Sequence, residues 1–294
     1  MSEASPDVKP PQKIAEAATK TGAKKAALDV PVLAVLGVLA GLYIGFGSLL
    51  ATMALAGAQD AIPYGVGRLL AGFVFSLGLI LVLVSGAELF TGNTLLVVAW
   101  AEGRARMGDI AVAWMLAWCT NLVGALLAVA LALAAALPMM GEGAFGAAAL
   151  RTAQAKGGLG FGTAFASGVL ANILVCLAVW MAWGARSAAD KVLVIIPPIT
   201  AFVALNTEHS VANMSLIPLG WGVRVWASPE FWSVTGLSPA AFPNAGIEGF
   251  IANLVPVTLG NILGGALVGG AYWLAYLRND DAAEADGNRT HRPR

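Results

Sequence analysis

Asn206-Thr-Glu-His-Ser-Val-Ala-Asn-Met-Ser215 interrupts an apolar run over 192–219 that otherwise reads as a membrane span. It sets Glu208 beside His209, the only histidine before the C-terminal tail. Ionisable groups at membrane depth are costly, so they face a pathway or a partner. A helix broken inside a bilayer exposes backbone N–H and C=O groups, tolerated only where protein or a water-lined cavity satisfies them. These ten residues therefore predict a broken helix with a polar site around the break. Glu88-Leu-Phe-Thr-Gly-Asn93 is the second such interruption, at the end of another apolar run.

The rest of the chain agrees with a membrane class. It has 294 residues, 58% hydrophobic and 12% charged, with mean hydropathy +0.77; soluble domains are about 25% charged. Formal net charge is zero, which gives no electrostatic case for nucleic acid. Cys119 and Cys176 both sit inside apolar runs and read as small packing residues. No short apolar segment with a small-residue cleavage site opens the chain.

Six spans are expected, at 32–56, 69–87 (resuming over 94–101), 110–137, 161–183, 192–219 and 251–277. Gly37, Gly41 and Gly45 form a small stripe in span one, suited to close helix approach. Residues 1–11 and 278–294 read as disordered. Residues 12–28, with four lysines among apolar positions, suit a helix on the membrane surface or a solvated basic tail. The small-residue stretch before span four, with Arg151 and Lys156, reads as a loop. Ala227-Ser-Pro-Glu-Phe-Trp232 reads as a short cap. Thirteen of the 17 lysines and arginines fall on the side holding both termini, which predicts cytoplasmic termini in a bacterial inner membrane. The organisation expected is an N-terminal segment 1–30, a pore domain 31–278 with repeats over 31–137 and 161–277, and a tail 279–294.

The halves repeat one another. Gly37-Val-Leu-Ala40 matches Gly168-Val-Leu-Ala171, Glu88-x4-Asn93 matches Glu208-x4-Asn213, and Asn121-Leu-Val-Gly124 matches Asn261-Ile-Leu-Gly264. The matches keep their order on corresponding spans. Three spans per half is odd, so the halves enter the membrane from opposite sides. The expected fold is all-α integral membrane: six transmembrane helices in two inverted three-helix repeats, helices two and five broken, with the site near the midplane.

Glu88, Asn93, Glu208 and Asn213 are suited to hold the two breaks. The helix fragment after each break presents free N–H groups that favour a small anion. His209 offers a donor and an acceptor, and Thr91 in the opposite break can bond water or an anion. Asn121, Asn172 and Asn261 either line the path or bond between helices. Phe202 lies two turns before His209, Phe75 and Leu79 share a face, and Leu89 and Phe90 adjoin Thr91. These five either form apolar rings around the polar centre or pack against core and lipid.

Ser85-Gly-Ala-Glu-Leu-Phe-Thr91, Ala171-Asn-Ile-Leu-Val-Cys-Leu-Ala-Val-Trp180, Glu208-His-Ser-Val-Ala-Asn-Met214, the cap and Asn253-Leu-Val-Pro-Val-Thr-Leu-Gly-Asn-Ile-Leu-Gly-Gly265 carry a resemblance. Over 30–278 the chain resembles the formate/nitrite transporter family, in its formate-channel branch. The resemblance implies an aquaporin-like protomer, a homopentamer and one pore per protomer. It implies Thr91, His209 and Asn261 at the pore centre and Phe75, Leu79, Leu89, Phe90 and Phe202 at constrictions. It places Lys156 at the outer vestibule. The implied function is passive or proton-linked transport of a small monovalent anion, formate first, with nitrite, hydrosulfide or another small carboxylate as alternatives. Two departures stand out: Asn206-Thr207 where the family has Gly and an aromatic, and Thr120 where it commonly has Gly.

A neutral-solute pore is the competing transport class. An intramembrane enzyme is disfavoured, because no His-Glu-x-x-His spacing and no second in-membrane histidine exist. No catalytic residue, cofactor or metal is expected. The partners expected are the anion, protons, lipid and further copies of the chain.

Overall fold

The computed structural model describes residues 8–58 and 61–278, and these contain helices and no strand. The tail over 279–294 and residues 1–7 of the expected disordered N-terminus lie outside them. Five helices are long and apolar enough to cross a membrane: α2 (Val30–Leu55), α3 (Tyr64–Ser85), α6 (Met107–Ala134), α8 (Phe161–Gly184) and α12 (Ile247–Tyr276). Shorter helices fill the remainder: α1 (Pro11–Ala26), α4 (Phe90–Asn93), α5 (Val97–Ala101), α7 (Ala144–Gly157), α9 (Ala188–Ala204), α10 (Ser210–Trp226) and α11 (Pro229–Thr235).

Small residues bring the long helices together. In α2, a β-carbon on Gly37, Gly41 or Gly45 would overlap Thr120, the backbone of Asn121 or Ala128, all in α6. Gly124 returns the fit, since a β-carbon there would strike the backbone of Val38. Gly260 and Gly264 of α12 meet the backbone of α8 in the same way, at Phe165 and Val169. Between apolar helices in lipid such close packing supplies most of the attraction. Large apolar side chains such as Leu69, Phe73, Leu131 and Leu193 stay exposed on the outer faces. So wide an apolar surface marks contact with lipid or neighbouring chains.

Residues 12–28 form the expected helix, α1, which buries Ala15, Ala18 and Gly22 against α5 and α8 through a stripe of small residues, and Lys9 bonds the backbone of Trp183 and Gly184. One segment differs from the sequence reading: the stretch before span four is the helix α7, not a loop. Its alanines favour helix, and Phe145, Leu150 and Ala153 bury one face against α10 and α12. The cap forms as expected: Ser228 accepts from the Phe231 N–H at 3.3 Å, and the Phe231 ring is buried. At the start of α9, Ser187 and Asp190 form a capping box. The Ser187 hydroxyl and N–H hold the Asp190 carboxyl below the usual carboxylate range.

Candidate functional site

Each interrupted run stops in the same way. After α3, Gly86 takes a left-handed turn (φ 85°), residues 87–89 are non-helical with Leu89 extended, and α4 begins at Phe90. After α9, Asn206 turns left-handed (φ 54°), residues 207–209 are non-helical with His209 extended, and α10 begins at Ser210. Each stretch leaves backbone groups that must be satisfied.

One asparagine serves each stretch. Asn121 accepts from the Phe90 N–H at 2.9 Å and donates to the carbonyls of Gly37 (2.8 Å) and Glu88 (2.9 Å). Asn261 accepts from the Ser210 N–H at 2.8 Å and donates to the carbonyls of Gly168 (2.8 Å) and Glu208 (3.1 Å). Both side chains are buried and committed to backbone. Asn172 reaches Thr91 O, Thr94 Oγ1 and Asn261 O, tying the two constructions together.

The glutamates repeat too. Glu88 Oε2 accepts from Asn93 Nδ2 (2.9 Å) and pairs with Lys25 of α1 at 3.0 Å. Glu208 Oε2 accepts from Asn213 (2.7 Å) and Asn253 (3.0 Å), while Oε1 pairs with Lys156 of α7 at 2.7 Å. A buried carboxylate is tolerable only when paired and hydrogen-bonded. Sequence reasoning missed both counter-ions. Lys25 was placed on a surface segment and Lys156 at the outer vestibule, neither with a named partner. Lys156 is buried with its charge met by Glu208. An acid–base pairing between elements distant in sequence leaves no local signature.

Thr91 and His209 meet: Thr91 Oγ1 and His209 Nε2 are 2.8 Å apart. His209 is the N-cap of α10, and its Nδ1 accepts from the Ala212 N–H at 3.0 Å. An accepting Nδ1 carries no proton, so a neutral ring holds its hydrogen on Nε2 and donates it to Thr91. That leaves the Thr91 O–H free to donate elsewhere.

Phe75, Leu79, Leu89, Phe90 and Phe202 all lie in the central apolar cluster. Phe75 and Phe202 meet edge to face at 5.3 Å, and Phe202 lies 5.7 Å from the His209 ring. Leu79 and Leu89 face a cavity of about 490 Å³ on the α1 side, with Lys20, Lys24, Lys25 and Glu88. Phe75, Phe202 and His209 face a neck of about 40 Å³ on the α7 side, which shares Arg68, Lys156 and Asn206 with a wider cavity of about 690 Å³. No residue lines both the α1-side cavity and the neck. Phe90, Thr91 and Asn261 line none of these cavities. Two cavities lined by cations thus approach a closed, apolar-walled centre holding one hydroxyl and one imidazole. Among the described residues, no cluster of His, Cys, Asp or Glu is built to hold a metal.

A family model described as formate/nitrite transporter matches residues 12–274. The formate channel FocA of Escherichia coli (strain K12) is 42% identical over 273 residues, covering 92% of this chain and 95% of that protein. The formate channel FocA of Haemophilus influenzae is 40% identical over 73% of this chain and 76% of its own length. Among solved structures, a pentameric formate channel with formate bound superposes with TM-score 0.78 at 40% identity, over 85% of this chain and 98% of that one. An FNT family ion channel superposes with TM-score 0.74 at 29% identity, over 89% and 98%.

Proposed function

The chain belongs to the formate/nitrite transporter family, and we propose that it carries formate across a membrane through a pore in each protomer of a homopentamer. The observation that carries this is the Thr91–His209 pair, set at the tips of two like interruptions between two cation-lined cavities. Relatives and a solved neighbour of matching length are formate channels, which favours formate over nitrite.

The architecture we infer has six spans. The five long helices supply four whole spans and the first part of span two, which continues through α4 and α5. The pair α9–α10 supplies span five. Two inverted halves, aquaporin-like, with spans two and five broken, account for the duplicated asparagine and glutamate networks. On this reading α1 and α7 are counterparts, each bringing one lysine to one glutamate. The repeat then begins before residue 31. The lysine and arginine distribution supports cytoplasmic termini in an inner membrane.

Formate enters a cavity and sheds water at the apolar walls. Desolvation disfavours its charge, so its pKa rises and protons become its partner at low pH. At the centre the Thr91 O–H replaces lost hydration, joined by the His209 Nε2–H when it turns from Thr91 to the anion. We assign His209 the part of a neutral donor, because a protonated ring would have to give up the Ala212 bond. Asn261, with all its bonds on backbone, braces the interruption; so do Asn121, Asn172 and the two Glu–Asn pairs. Phe75, Leu79, Leu89, Phe90 and Phe202 form the constriction walls.

Formate flux into proteoliposomes over pH 5–8, for wild type and His209→Asn, tests this. Wild-type flux rises as pH falls. The variant loses roughly tenfold, as for one charge-assisted hydrogen bond, but keeps the acid dependence. A variant flat with pH would make His209 the proton donor, and a wild type that passes no formate would end the formate reading.

A further inference from the structure

Arg68 is a cation for which the pore reading has no task. It stands near the start of α3, and its Nη2 donates to the carbonyl of Val203 and to Asn206 Oδ1, the latter at 2.7 Å. Both acceptors are neutral. Its Nε is buried without a partner. Among the described residues, Lys25 and Lys156 each have a glutamate, and no carboxylate pairs with Arg68.

Its location gives that free charge meaning. Arg68 lines both the wide α7-side cavity and the neck behind it, and so do Lys156 and Asn206. Arg151 adds a cation to the wide cavity, and no described carboxylate lines either space. Lys156 is neutralised by Glu208, so the net positive charge at the mouth of the neck is that of Arg68. A cleft lined by one sign of charge concentrates the opposite ion. With Arg68 Nη2 donating to its two neutral acceptors and Nε buried, Nη1 is the edge of the guanidinium left to meet a carboxylate oxygen.

Asn206 holds this cation in place. It follows the last turn of α9 with a left-handed backbone (φ 54°), a helix-end position that glycine and asparagine both take. What asparagine adds over glycine there is the amide oxygen on Arg68. Thr207 beside it turns its hydroxyl onto the Phe202 carbonyl (2.8 Å) and also lines the neck. Of the two residues that depart from the family pattern, Asn206 therefore holds Arg68 and Thr207 lines the neck behind it.

We propose that Arg68, positioned by Asn206, forms a second anion station at the α7-side mouth, one stop before Thr91 and His209, for small monocarboxylates. Only the choice of ligand rests on the formate reading. The test uses the full-length protein in proteoliposomes and in detergent. Arg68→Gln raises the half-saturating formate concentration about tenfold for entry from the α7 side, the loss of a charged hydrogen bond; Arg68→Lys recovers part of it. Asn206→Gly, which keeps the charge but frees it, falls between Arg68→Gln and wild type.

Independently of flux, phenylglyoxal labelling of Arg68, read by mass spectrometry, slows in sodium formate or acetate and not in sodium chloride at equal ionic strength. Protection without formate flux keeps the station and removes the formate reading. Unchanged half-saturation in Arg68→Gln with wild-type elution on size exclusion, or labelling indifferent to carboxylates, overturns the station while leaving formate transport intact.

Discussion

Lys156→Met is the substitution from which the most can be learned. It removes the ammonium 2.7 Å from Glu208 and keeps most of the side-chain volume. The side chains are 8% and 1% exposed, so neither salt nor solvent screens the pair appreciably. Glu208 retains two amide donors, from Asn213 and Asn253, but its charge is left buried and unpaired. Breaking such a pair from one side costs about 3–5 kcal/mol. Adding Glu208→Gln removes the orphan charge and preserves an oxygen acceptor for the same two amides. The double variant is therefore expected within about 1 kcal/mol of wild type, a recovery of roughly 3 kcal/mol over Lys156→Met. Thermal unfolding in detergent, followed through tryptophan fluorescence, measures this. The single variant melts roughly 10 °C below wild type, and the double variant recovers most of the loss. A double variant as unstable as Lys156→Met, or a single variant indistinguishable from wild type, refutes the assignment of Lys156 as the counter-ion of Glu208.

Lys25→Met makes the same cut on the other side. Its pair is more open, at 24% and 6% exposure, so its loss of melting temperature is expected to be less than half that of Lys156→Met. Asn121→Leu and Asn261→Leu each take the side-chain partner from one backbone N–H and two carbonyls. Each is expected to cost roughly 2–5 kcal/mol in the same assay, and a difference above about 2 kcal/mol would deny that the networks are equivalent. Thr91→Val removes the acceptor of His209 Nε2 and is expected to cut formate flux at least tenfold with assembly intact; flux at wild-type level would take Thr91 out of the site. Gly124→Leu drives a side chain into the backbone of α2 and yields no folded protein on size exclusion. Gly270→Ala, where a β-carbon meets nothing within 4 Å, elutes and melts at or slightly above wild type.

Much of the fold was legible from residues alone. Long uncharged runs identify the spanning helices, because a span's length is set by bilayer thickness and its composition by lipid. The two interruptions were visible because Glu and Asn inside an apolar run conflict with everything around them. The Gly37–Gly41–Gly45 stripe announced a close neighbour, though not that α6 was the neighbour. α7 was misread because a helix that docks through alanine and glycine has too little apolar signal to be told from a loop.

Of the candidate site, the residue types and the two Glu-x4-Asn motifs were legible in the sequence, since both are carried by local pattern. What only the tertiary structure decided was pairing. Lys25 with Glu88 and Lys156 with Glu208 are separated by 63 and 52 positions in the chain, and Asn206 reaches Arg68 of α3 from the turn after α9. The sharing of one hydrogen bond between Thr91 and His209 is of the same kind. A charge or a donor in a low-dielectric interior must find its complement wherever packing brings one within about 3 Å. That distance is a property of the assembled helices and has no counterpart in the order of residues along them.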